Sequence, residues 1–193
     1  MNTLYPPPGL LVLDVQNGFD DPYWGERNNH KAEKNILELQ AAWREKSWPV
    51  LHSQHLSMNI SSPFHYTKKK GIAFKEATRP MPGEYVFQKQ VNSAFIGTQL
   101  EAVLNDLGVK TVVITGLSTQ HCVSTTTRMS ANLGFTTYLA EDACAAFAIT
   151  DHKGTFYSAD AVHQAQLAAL HKEFATIVST QEMLQLIEKL KTE

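Results

Sequence analysis

Long apolar runs are missing from this 193-residue chain. GLLVL and VVI are typical, and the longest, ACAAFAI, has seven residues, against about 20 for a bilayer-spanning helix. Cysteine is scarce: Cys122 and Cys144 are the only two, which excludes a disulfide framework and fits a reducing, cytoplasmic compartment. The start, MNTLYPPPG, has no basic segment followed by an apolar one, so no secretory leader is expected. Charge of one sign is absent too. Lys plus Arg is 17 and Asp plus Glu is 19, a net −2, which supplies no electrostatic reason to bind nucleic acid or an anionic membrane. Repeats, low-complexity tracts and Gly/Ser/Pro-rich linkers do not occur. What is present, 43% hydrophobic against 19% charged residues, is enough for one sizeable core. The expectation is a soluble cytoplasmic protein, one domain over residues 1–193.

Strand-like apolar runs alternate with helical spacing. GLLVLDV, behind a proline run, reads as a buried strand. From about Lys31 to Lys46, Ile36, Leu39 and Trp43 recur among charges at helical intervals. PVLHSQ reads as the next strand. A polar connection from roughly His55 to Gly83 follows, and a connection that long is uncommon unless functional, for example as a loop over a site. EYVFQK is strand-like. TQLEAVLNDLG sets Leu100, Val103, Leu104 and Leu107 on one helical face and ends at Gly108. TVVITGL is another buried strand, and STQHCVSTTTRMSANLG a helix closing at Gly134. FTTYLAED, a helix from Ser158 to His171, FATIVST and a helix from Gln181 to Lys191 complete the chain. The run Thr125, Thr126 and Thr127 disfavours an isolated helix and so predicts tertiary burial. Six strands with helices between most of them predict an α/β fold with a mostly parallel sheet covered on both faces.

In such sheets ligands bind beyond the carboxyl ends of the strands. Three reactive side chains stand there: Asp14 after the first strand, Lys89 at the end of EYVFQK, and Cys122 just past TVVITGL. A thiol at a helix N-terminus beside a lysine is drawn towards thiolate, and a carboxylate within reach can take its proton. Each residue also has a plainer reading. A single cysteine is more often a small buried hydrophobe, an Asp after a strand often caps a turn, and a strand-end Lys is usually solvated. The residues alone leave both readings open.

GLSTQHCVSTTTRMSANLGF, with Gly116, Leu117, Ser118, Thr119, Cys122 and Val123, resembles the signature of the isochorismatase-like hydrolases, the cysteine hydrolase superfamily. LVLDVQNGF is similar to that family's first strand, with Asp14 and Gln16, and FQKQVNSAFIGTQLEAVL to the segment carrying its lysine, here Lys89. AEDACAAF and the stretch from Ser158 to Thr180 match later blocks, so the resemblance runs from about Gly9 to Thr180. It implies a Rossmann-like three-layer α/β/α sandwich and an Asp14–Lys89–Cys122 triad without a cofactor. Cys122 attacks an amide, carbamoyl or ureido carbon, Asp14 moves the proton, and Lys89 lowers the thiol pKa and orients Asp14. It also implies a cis peptide between Leu117 and Ser118 that turns the Ser118 and Cys122 backbone N–H groups into an oxyanion hole. Family members commonly form dimers or tetramers, so a homo-oligomer acting on a small molecule is expected.

The chain departs from its relatives in places. Nicotinamidase members hold a metal with an Asp-x-His element. Here Ser53 replaces that Asp while His55 remains and His65 follows, a poor divalent site, so no metal is expected. Members that split a vinyl ether typically lack the cysteine, so Cys122 favours C–N chemistry. Ether hydrolysis with Cys122 a spectator, and a catalytically idle binding relative, are the alternatives. Phe19, Trp24, Phe64 and His121, with Gln16, are the substrate-binding candidates. Cys144, expected past a strand end, reads as buried and inert.

Overall fold

The computed structural model describes residues 7–190. Six strands, β1 (Gly9–Leu13), β2 (Val50–His55), β3 (Tyr85–Lys89), β4 (Thr111–Leu117), β5 (Thr136–Ala145) and β8 (Thr176–Val178), form one sheet in the order β3-β2-β1-β4-β5-β8. Every neighbouring pair in it is parallel. A two-stranded antiparallel hairpin, β6 (Ile149–Thr150) and β7 (Phe156–Tyr157), stands apart and was not foreseen. The helices are α1 (Ala32–Glu45), α2 (Lys69–Ile72), α3 (Leu100–Asp106), α4 (Ser124–Asn132), α5 (Ala159–Leu170) and α6 (Thr180–Glu188).

The three layers follow from the two-residue period of a strand. In β1, Leu10 and Val12 pack with Ile36, Leu39 and Trp43 of α1 and Met183 and Ile187 of α6. Leu11 and Leu13 point the other way, against Leu100 and Leu104 of α3 and Leu167 and Leu170 of α5. Both faces are covered, so all five residues of β1 are buried and the strand is apolar throughout rather than alternating. The α3 stripe is narrower than expected: Leu100 and Leu104 are buried, whereas Leu107 is exposed.

The chain lays β2 and β3 down on one side of β1 and then crosses to β4 on the other. The crevice between the ends of β1 and β4 is the point where strand order reverses, the usual ligand position in such sheets. Leu13 pairs with both Ser53 and Gly116 there. Gly116 has φ +119°, and a Cβ on it would lie 2.1 Å from the Leu13 carbonyl oxygen, so no other residue fits. Beyond it the register of β4 on β5 shifts, from Ile114–Leu139 to Gly116–Cys144. That irregularity lets β5 continue to Ala145, so Cys144 lies inside the strand, correcting the expected end at FTTYLAED. It is fully buried as expected.

Candidate active site

Strand β1 ends at Leu13, and Asp14 then takes φ +52°, a left-handed conformation that a short polar side chain tolerates better than most. Its N–H donates to the Ser53 carbonyl (3.1 Å), fixing the turn against β2. The Asp14 side chain has no exposed surface. Ser53 Oγ donates to its Oδ1 at 2.6 Å, and Lys89 Nζ lies 2.6 Å from its Oδ2. Lys89 is the last residue of β3, registered with His55, so β2 separates it from β1. The lysine stem reaches across β2 and the Asp14 side chain comes to meet it. The ammonium then meets Cys122 Sγ at 3.2 Å, the Val91 carbonyl at 3.2 Å and His55 Nδ1 at 3.3 Å.

Cys122 was expected at the start of an α-helix. It sits instead in a turn of π-helix, Thr119–Val123, which follows a cis peptide between Leu117 and Ser118 and is closed by a bond from Val123 N–H to the Ser118 carbonyl (3.2 Å). Such widened turns often occur at functional sites. Thr119 Oγ1 bonds His163 Nδ1 of α5 (2.9 Å), anchoring the turn. Behind it, Thr126 accepts the Ala94 N–H (3.1 Å) and Thr127 donates to the Val123 carbonyl (2.8 Å); both are buried, as the threonine run predicted.

The charge balance corrects one expectation, a thiol drawn towards thiolate. Lys89 does lower the Cys122 pKa, as expected, but burial pushes the thiol well up, Asp14 pushes it further, and Lys89 only partly opposes them. With Asp14 ionised, a thiolate would leave the buried trio with a net negative charge. For Lys89, burial disfavours the ammonium but Asp14 and Cys122 together outweigh it, so its pKa is raised. His55 is held below the ordinary histidine range by burial and by the adjacent ammonium.

A cavity of about 280 Å³ opens on the trio, at the small end of ligand sites. Its polar lining is Asp14, His55, Ser62, Asn92, Ser118 and Cys122. Phe19, Trp24 and Phe64 form its aromatic lining, with ring centroids 4.7–5.5 Å apart, and His121 stands at its rim. The long connection after β2 covers the site as expected, since Ser62 and Phe64 belong to it. Gln16 does not line this cavity. It is fully buried, its Nε2 donating to the carbonyls of His55 (3.1 Å) and Ile72 (2.9 Å) and its Oε1 accepting the His55 N–H (2.8 Å). It bolts the covering loop to β1 and β2, which corrects its assignment as a substrate contact.

Donor atoms of Asp14, His55 and Cys122 lie within 4.8 Å of one another, a spacing open to a metal, but the Lys89 ammonium already contacts all three. His65 bonds Thr67 (2.7 Å) and does not line the cavity. Ser62 and Asn92 escaped the sequence reading; only the nearness of Asn92 to Lys89 pointed to it.

Residues 8–182 match the family model described as the isochorismatase domain. The chain is 54% identical over 175 residues to the uncharacterized isochorismatase family protein YrdC of Bacillus subtilis, covering 91% of this chain and 93% of that protein. It is 26% identical over 186 residues to the ureidoacrylate amidohydrolase RutB of Agrobacterium fabrum, covering 94% and 70%. A crystal structure of an isochorismatase family protein from Chromobacterium violaceum superposes with a TM-score of 0.90 at 42% identity, covering 94% and 93%.

Proposed function

The chain belongs to the isochorismatase family of hydrolases, and from that premise we propose that it cleaves a C–N bond of a small amide, carbamoyl or ureido compound through Asp14, Lys89 and Cys122, without a cofactor. One observation carries this reading: a single buried ammonium bridges a carboxylate and a thiol beside a small cavity. The ureidoacrylate amidohydrolase among its relatives supports the C–N assignment.

In the resting state Asp14 is ionised, Lys89 is charged and Cys122 is a thiol, so the trio is neutral. As Cys122 attacks the carbonyl carbon, its proton passes to Asp14, and the Lys89 ammonium is left to balance the substrate oxyanion, so the site as a whole stays neutral. The backbone N–H groups of Ser118 and Cys122 receive that oxyanion. Asp14 returns the proton to the leaving nitrogen, the C–N bond breaks, and ammonia or an amine departs, leaving a thioester. Water then attacks, Asp14 takes its proton, and the sulfur leaves and is reprotonated. The net reaction consumes one water and yields an acid.

Replacing Cys122 with Ala leaves the Asp14–Lys89 pair intact. Ammonia release from the substrate then falls by at least about a thousandfold while the melting temperature holds. A Cys122→Ala protein that keeps its ammonia release overturns the cysteine mechanism, and one that cleaves a vinyl ether at the native rate, with Asp14→Ala inactive, transfers the case to ether hydrolysis. The same proposal has the protein working in the cytoplasm on a small molecule, independent of nucleic acid and membrane, as a homo-oligomer, dimer or tetramer.

A further inference from the structure

One kind of side chain is missing from the cavity lining. Among the described residues, no arginine or lysine lines it. Lys89, the nearest cation, has no exposed side-chain surface and is engaged with Asp14, Cys122, His55 and the Val91 carbonyl. The only formal negative charge in the lining belongs to Asp14, and Lys89 cancels it. A substrate carboxylate entering this space meets no free counter-charge, and burying an unpaired carboxylate is costly.

The two histidines of the lining do not fill the gap. Burial and Lys89 keep His55 neutral near pH 7. His121, exposed at the rim yet partly desolvated, is also held below the ordinary range. The groups that do await a ligand are neutral. Ser118 Oγ is buried, lines the cavity and has no hydrogen-bond partner among the described residues. Asn92, an exposed residue, lines the cavity with its Oδ1 accepting from Cys122 Sγ at 3.8 Å. Phe19, Trp24 and Phe64 offer a continuous aromatic surface.

We propose that the substrate is an uncharged amide or urea carrying a compact flat apolar group, and that the cavity rejects substrates bearing a carboxylate. This rests on the hydrolase reading above and narrows it. It also separates the chain from its ureidoacrylate-cleaving relative, whose named substrate is itself a carboxylate.

Two isosteric alkylating agents test it without knowledge of the substrate. Iodoacetamide and iodoacetate differ by a neutral amide against a carboxylate, and both react with Cys122 from inside the cavity. Their rate ratio at Cys122, read by mass spectrometry and divided by the ratio at 2-mercaptoethanol, should favour iodoacetamide by at least about a hundredfold. Ser62→Arg, which installs a cation in the lining, should bring that ratio down by about tenfold. Succinamide should likewise release ammonia faster than succinamate. A normalised ratio near one, or one favouring iodoacetate, overturns the inference while leaving Cys122 a nucleophile. A Cys122 inert to both reagents removes the cysteine-based C–N reading and this inference with it.

Discussion

Asp14 and Lys89 hold one negative and one positive charge in balance, and Cys122 beside them carries the chemistry. Because the carboxylate and the ammonium already neutralise each other, burial keeps the thiol protonated well above the usual thiol range. Removing the carboxylate's charge inverts this. In Asp14→Asn the thiol loses the group that, after burial, raises it most, and Lys89 becomes its only charged neighbour. The sign is therefore downward. Alkylation of Cys122 by iodoacetamide shifts to lower pH than in the native protein, while hydrolysis falls by about 10²–10⁴-fold for want of a proton carrier. A pH profile of alkylation checks the first half and an ammonia-release assay the second, and an upward shift would contradict the charge argument. Ser53 supports the same carboxylate from β2, holding Oδ1 so that Oδ2 faces the lysine.

The placement of Lys89 depends on how β2 and β3 are held against α1. Arg44 of α1 bonds Glu84 through Nε (2.7 Å) and Nη2 (3.0 Å), and His52 of β2 bonds the same carboxylate at 2.9 Å, just before β3 begins. Partial burial pushes Glu84 up, but the hydrogen bonds from His52 and Arg44 dominate and bring it from 4.5 down to about 2. A depressed carboxylate stabilises the fold above its unfolded pKa and loses that contribution as pH falls. The window is therefore pH 4.5 down to about 2. Glu84→Gln should cost about 1–2 kcal/mol at pH 7, after allowance for the solvent access of the pair, and flatten the acid decline across that window. Urea denaturation at pH 7 and pH 3 measures both. A cost equal at the two pH values would show that the clamp acts by packing and not by charge. Elsewhere the helix ends obey local rules: Ser158 caps α5, Ser179 and Glu182 make a capping box on α6, and α3 gives way to Gly108 with φ +68°.

Three layers around a parallel sheet leave a single crevice where strand order reverses, and the reactive residues converge on it from β1, β3 and the turn after β4. Among the described residues no helix is long and apolar enough to cross a membrane. The surface nevertheless carries large apolar side chains, with Phe156 61% and Ile60 68% exposed and Ile149 and Tyr157 beside Phe156 on the β6–β7 hairpin. Exposed apolar side chains are what subunit contacts cover. Sedimentation equilibrium at micromolar concentration should return a dimer or tetramer of the 21.5 kDa chain, and Phe156→Asp should weaken it. A monomer at all concentrations would remove the assembly from the proposal.

Apolar runs without alternation announced strands covered on both faces, and their alternation with helical spacing announced a parallel sheet. Both signals are local, because burial imposes its period on neighbouring residues. The positions of Asp14, Lys89 and Cys122 after strands were legible for the same reason. What the chain order concealed depends on distance through space. Gln16 sits two residues from Asp14 yet turns to the covering loop, because the His55 and Ile72 backbone groups come within its reach only in the folded chain. Cys144 lies in a strand because the register shift opposite Gly116 extends it. The direction of the Cys122 titration likewise reversed, since desolvation and the competing charge of Asp14 are properties of the packed site and leave no mark on residue spacing.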